Sequence, residues 1–153
     1  DELTGLYNRR YLGELLDKLC KGENAFAVFY MDLNHFKAVN DELGHAAGDA
    51  ILKEASERMR SCAGGDNPTA RIGGDEFCAV IRHARSEWVE ECLRRLEYLE
   101  RKYNEGKTDV PMRIAYGYAI FDEQYDKNME ETRNRADVKM YKKKRAIKAE
   151  ERK

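Results

Sequence analysis

Apolar and polar positions along the 153 residues follow helical and strand periods in turn, and each change of period marks the edge of an element. After Asn8, an N-cap by residue type, Tyr11, Leu12, Leu15, Leu16 and Leu19 recur at helical spacing and predict a first amphipathic helix. A continuous, aromatic-rich apolar run over 25–31 then ends on Asp32, the pattern of a central strand buried on both faces. The stretch 36–43 predicts a short helix stopped by Gly44, and 46–60 a longer one with Ile51, Leu52, Ala55 and Met59 inward. "CAGGDNPT" reads as the following loop. Two short strands, "ARI" and "EFCAVI", flank Gly73, Gly74 and Asp75, where glycines are expected to supply the positive φ of a tight hairpin. "SEWVEECLRRLEYLERKYN" predicts a helix with Trp88, Val89, Cys92, Leu96 and Leu99 on one side, and "PMRIAYGYAIF" another strand. A closing helix runs from about Glu130 into a basic tail.

Leaving out the first helix, the order is β, α, β, β, α, β, α. That is the α+β, ferredoxin-like split βαβ plan, an antiparallel sheet with flanking helices. No repeat, linker or composition break divides residues 1–153, so a single domain is expected. The chain opens at "DELTGLYNRR" without a methionine, and the expectation is a domain excised from a longer chain with an N-terminal sensor or dimerising region. With 42% hydrophobic and 37% charged residues evenly spread, both a disordered chain and a membrane span are excluded. A net charge of −1 means that any polyanion must be met locally and not by the surface as a whole. Cys20, Cys62, Cys78 and Cys92 have no metal-binding spacing and read as reduced packing thiols, which suits the cytoplasm.

Three acidic positions carry candidate chemistry: Asp32 at a strand's end, and Asp75 with Glu76 at the hairpin. If the first and third core strands are neighbours, these carboxylates converge as hard oxygen ligands suited to Mg²⁺. An isolated Gly-Gly-Asp tip is equally an ordinary solvated turn. Lys37, one turn into the helix after Asp32, could neutralise phosphate oxygens. Asn40 and Asp49 flank the Gly44/His45 break and could close on one ligand. A carboxylate that accepts two N–H bonds matches guanine and not adenine. Spacing alone also allows both residues to be helix caps.

"DELTGLYNRR", "DLNHFKAVNDELGHAAGD", "RIGGDEF" and "RADVKMYKKK" resemble, in order and spacing, the GGDEF family of diguanylate cyclases over nearly the whole chain. The resemblance implies a palm-like fold similar to class III nucleotide cyclases. It implies condensation of two GTP into cyclic di-GMP with release of pyrophosphate, in bacterial second-messenger signalling. By the same resemblance Asp32 and Asp75 are Mg²⁺ ligands (Mn²⁺ is an alternative), with the Leu33 carbonyl beside them and Glu76 as a further acidic contact. Asp75 falls where the family places the base for the 3′-hydroxyl, although water could take that proton instead. Lys37 corresponds to the transition-state stabiliser, Asn40 and Asp49 to the guanine readers, and His45 to the Gly-His step near the substrate. Gly73 and Gly74 admit the nucleotide closely, and Lys144 clamps the triphosphate. One domain offers one GTP site while the product needs two linkages, so a homodimer is implied. No nucleic-acid or membrane contact is expected of the domain.

The chain departs from the family at three places. Asn34 stands where a second Asp is common. Ile147 and Lys148 replace the Gly and Arg of a frequent Gly-Arg-Asn ending, so Lys148 keeps a charge without the bidentate fork. Gly64 and Asn67 occupy the ends of the usual Arg-x-x-Asp product site, which predicts no strong product inhibition there. Two other readings are a catalytically weak domain that senses GTP or cyclic di-GMP, and an RNA-binding sheet built on Tyr30, Phe77, Tyr116 and Tyr118. The acidic hairpin and the lack of a basic sheet face argue against RNA.

Overall fold

A computed structural model describes residues 1–21, 26–64, 67–82, 85–106, 111–122, 126 and 129–151. Its elements are β1 (Tyr7–Asn8), α1 (Arg9–Lys21), β2 (Phe26–Leu33), α2 (Phe36–Leu43), α3 (His45–Ala63), β3 (Thr69–Arg71), β4 (Glu76–Arg82), α4 (Ser86–Gly106), β5 (Ile114–Ile120) and α5 (Met129–Glu151). The sheet order is β1-β3-β4-β2-β5. β2 lies antiparallel between β4 and β5, and β3 is antiparallel to β4, which is the split βαβ core. The short β1, which the sequence reading lacked, pairs parallel with β3 and makes the sheet mixed. Two residues carry no periodicity, so nothing in the pattern announces such a strand. The Ala25 end of the predicted first strand, Gly65 and Asp66 of the loop, and the Cys20 side chain lie outside the described residues.

All eight residues of β2 are buried because helices cover both faces of the sheet. The pleat sorts them by parity. Ala27, Phe29, Met31 and Leu33 face α3 and α4, and share that side with Phe77, Ala79 and Ile81 of β4. Phe26, Val28 and Tyr30 face α1 and α5 with Cys78 and Val80. Burying side chains of this size contributes about 1.5–3 kcal/mol each. In α3 the inward residues include Ile51, Leu52, Ala55 and Met59, as the spacing predicts. In α4 they are Val89, Leu93 and Leu96. Trp88 is 59% exposed, contrary to its expected inward place. It lies one residue, about 100° of helix, off the Val89–Leu93–Leu96 stripe, and the Leu93 position takes the core.

Close approach of α5 to β5 depends on Gly117. A Cβ there would stand 2.3 Å from the Met140 nitrogen and 2.5 Å from the Ala136 carbonyl. The last strand starts at Ile114 and not at Pro111. Of the strand aromatics weighed for RNA stacking, Phe77 and Tyr30 are buried. Tyr116 and Tyr118 donate to Glu97 and Glu90 of α4.

Candidate active site

Parity also sets the chemistry. Asp32 is an even position of β2 and Glu76 an even position of β4, and the two are direct partners across the ladder. Both therefore project to the α5 side of the sheet. The hairpin tip is tied back to the end of β2 by the Leu33 N–H donating to the Asp75 carbonyl at 3.0 Å. Asp32, Asp75 and Glu76 are the one set of three or more metal-ligating side chains among the described residues whose ligand atoms all lie within 4.8 Å of one another.

The hairpin itself is held by its backbone and by Arg71. The Glu76 carbonyl accepts from the N–H groups of Ile72 (2.9 Å) and Gly73 (3.2 Å). The Arg71 guanidinium donates to the Gly73 carbonyl from Nε at 3.2 Å and to the Gly74 carbonyl from Nη2 at 2.8 Å. Sequence reasoning passed over Arg71, although its place directly before "IGGDE" was the available signal. The positive-φ glycines among the described residues are Gly5, Gly44 and Gly64, so Gly73 and Gly74 do not serve the turn by that route. A Cβ on Gly74 would meet nothing within 4 Å, and one on Gly73 would make only ordinary contact with Glu76. The fold does not demand glycine at this tip, which leaves open space beside the acids.

Asp32 is 2% exposed. Its Oδ2 accepts from Lys144 Nζ at 3.1 Å, while its Oδ1 is buried and finds no partner among the described residues. Burial first, and then the Asp75 charge, push the Asp32 carboxyl up to about 6 against the pull of Lys144. Burial works to lower Lys144, but its bond to Asp32 and the surrounding carboxylates outweigh that and raise it. A buried carboxylate with an unpartnered oxygen, beside two more acids, is a donor set deficient in positive charge. Such a set fits a divalent cation with oxygen ligands. Asn34 is also buried, with neither side-chain polar atom partnered among the described residues.

The other predicted residues sit on the neighbouring helices. Lys37 is exposed in the first turn of α2, and Asn40 is half-buried further along it. His45 opens α3 after Gly44 (φ 91°), and Asp49 is exposed on its next turn. Asn40 and the start of α3 do meet: a Cβ on Gly48 would fall 1.8 Å from Asn40 Oδ1. That oxygen is buried and unpartnered among the described residues. It is an acceptor held at the α2/α3 junction with no donor among the described residues. Lys144 reaches the acidic cluster, whereas Lys148 is exposed one turn further along α5. The Ile147 departure is a core residue, 3% exposed.

A mixed sheet of this order, with an acidic cluster at the β2/β4 end, defines a palm-like cyclase fold. The family model described as "Diguanylate cyclase, GGDEF domain" matches residues 1–150, and the chain belongs to that family. It is 35% identical over 127 residues to the cyclic di-GMP phosphodiesterase PdeB of Shewanella oneidensis, covering 79% of this chain and 15% of that protein. It is 33% identical over 126 residues to MucR of Pseudomonas aeruginosa, a bifunctional diguanylate cyclase/cyclic di-GMP phosphodiesterase, covering 79% of this chain and 18% of MucR. The chain thus spans under a fifth of each of these curated relatives. The solved GGDEF domain of YfiN (TpbB) from Pseudomonas aeruginosa superposes with a TM-score of 0.81 at 30% identity, covering 95% of this chain and 88% of that one. No described helix is long and apolar enough to cross a membrane.

Proposed function

We propose that this domain is a diguanylate cyclase that joins two GTP molecules into cyclic di-GMP with release of two pyrophosphates, in a twofold pair of domains. The observation that carries the reading is the convergence of Asp32, Asp75 and Glu76 within 4.8 Å, with Lys144 on Asp32. In each of the two linkages the 3′-oxygen of one GTP bonds to the α-phosphorus of the other. The bond from that phosphorus to the pyrophosphate oxygen breaks, and the 3′ proton passes to Asp75 or to water. Asp32, Asp75, Glu76 and the Leu33 carbonyl would hold Mg²⁺ or Mn²⁺, which when bound polarises the phosphoryl oxygens and offsets charge on the leaving pyrophosphate. Lys37, Lys144 and Lys148 add positive charge along the triphosphate, with Lys37 nearest the charge that builds up in the transition state. Asn40 Oδ1 and the Asp49 carboxylate accept from guanine N–H groups, with His45 beside them. The bare tip at Gly73 and Gly74 lets backbone lie against the nucleotide. Facing a second copy completes the reaction centre, so pairing is the control point, and a sensor upstream in the same chain would set it.

A second reading is a nucleotide-sensing domain without turnover. It is favoured by the similarity to proteins named as cyclic di-GMP phosphodiesterases. One experiment separates the two: concentrated domain, with and without a fused constitutive dimeriser, is incubated with GTP and Mg²⁺ and the nucleotides are resolved by chromatography. Cyclic di-GMP from the wild type, absent with Asp75→Ala and with ATP as substrate, is the expected result. GTP binding without product, even when the domain is dimerised, leaves the sensor reading in its place.

A further inference from the structure

Helix α5 does not end at the Lys144 that meets Asp32 but continues to Glu151. Lys144, Ile147 and Glu151 fall at i, i+3 and i+7 and so share one stripe, which spans about 10 Å of helix. Each member is docked. Lys144 bonds Asp32, Ile147 is buried in the core, and the Glu151 carboxylate contacts the His35 ring. The adjacent Glu150 accepts from Arg113 Nη2 at 3.2 Å. Both partners of these glutamates sit beside the turn that follows Asp32. His35 precedes α2 and is the one non-glycine residue with positive φ (62°) among the described residues. Arg113 lies beside the same turn, its carbonyl accepting from the Asn34 N–H at 2.7 Å. An imidazole and a guanidinium beside the turn that follows Asp32 are natural donors to a phosphate tail, and in this chain two carboxylates already hold them.

We propose that the last two turns of α5 form an acidic latch. Glu150 and Glu151 occupy Arg113 and His35, and they must let go before those two side chains bind the phosphates of an incoming nucleoside triphosphate. The latch rests on the GTP reading of the site, and it gives this chain a built-in brake where the family's frequent Gly-Arg-Asn ending is replaced. Two exposed ion pairs, together with the charge repulsion removed with them, set the scale of the effect at about three- to tenfold in affinity.

The test is calorimetric titration of wild type and Glu150→Ala/Glu151→Ala with two probes in the presence of Mg²⁺, GTP and inorganic triphosphate. Alanine suits exposed helix positions, and an unchanged thermal midpoint checks folding. The expected result is that both probes bind the variant three- to tenfold more tightly, and that adding Arg113→Ala removes the gain. A gain for inorganic triphosphate with no GTP binding by either protein would uphold the latch while defeating the guanine reading. Equal affinities in wild type and variant, or no binding of either probe to either protein, would overturn the latch.

Discussion

Lys144 and Asp32 stand 112 residues apart in sequence and 3.1 Å apart in space, joining the middle of α5 to the end of the central strand. The pair sets a balance that a metal ion would change. A carboxyl whose folded-state pKa is raised, here to about 6, adds stability below its ordinary value of 3.8 and loses that contribution as pH rises through 6. At pH 7 the ionised Asp32 therefore weighs against the metal-free fold. Asp32→Asn should raise the thermal midpoint of the metal-free domain at pH 7 and abolish the further rise that millimolar Mg²⁺ gives the wild type. Differential scanning fluorimetry with and without EDTA measures both. A variant that is less stable yet still stabilised by Mg²⁺ would show that Asp32 is not a ligand.

The elements other than β1 were legible because each has a period long enough to read. The apolar run ending on Asp32 gave β2, and Gly44 gave the break between α2 and α3. The Asp32 and Glu76 juxtaposition was legible at the level of strand order. The Lys144 contact was not legible from spacing, because it depends on which face of a sheet a residue takes and how a helix far along the chain crosses that face. The resemblance supplied Lys144 as a clamp on triphosphate, and the fold adds Asp32 as its partner. Ile147 reads in the sequence as a replaced glycine in a basic tail, yet it is core, since the packing of α5 past Lys144 is a tertiary outcome.

Gly48 provides a test of the guanine reader with little cost to the fold. An added methyl would lie 1.8 Å from Asn40 Oδ1 and 2.8 Å from its Cγ, so the amide must swing away. Alanine is otherwise better than glycine in a helix by about 1 kcal/mol, so Gly48→Ala should keep or raise the thermal midpoint. Losing one or two hydrogen bonds to the base corresponds to roughly five- to tenfold weaker GTP binding. Inorganic triphosphate, which has no base, should bind as before. Wild-type GTP affinity in this variant would remove Asn40 from the list of base contacts.

Gly64 and Asn67 bear on feedback by product. Gly64 closes α3 with φ 93°, its N–H donating to the Arg60 carbonyl at 3.2 Å. Asn67 is committed on both sides, with Nδ2 donating to the Ala63 carbonyl at 2.7 Å and Oδ1 accepting from the Arg82 N–H at 2.9 Å. Neither offers the guanidinium or carboxylate of the usual product site. Titration with cyclic di-GMP should show no sub-micromolar binding once the active site is filled with a non-hydrolysable GTP analogue. Tight binding that survives that blockade would refute the expectation.

Asp126 should give the fold a distinct acid limit. Its carboxylate accepts from Arg135 Nε at 3.2 Å and Nη2 at 2.5 Å, and from the Asp122 N–H at 3.0 Å. Arg135 Nη2 also reaches the Ile120 carbonyl at 2.8 Å, so the cluster fastens the start of α5 to the end of β5. Burial alone would raise the Asp126 carboxyl, but these donors outweigh it and hold it below the usual range. A depressed carboxylate adds stability that is fully present above its unfolded value of about 3.9 and is lost as pH falls through the lower folded value. Asp126→Asn should therefore cost roughly 1–2 kcal/mol at pH 7, in line with hydrogen bonds to a charged group. That gap should hold down to about pH 4 and close as pH falls further through the lowered folded value. Urea unfolding of wild type and variant across this range reads it directly. A gap that stays constant to the acid end would mean that Asp126 acts through packing and not through its charge.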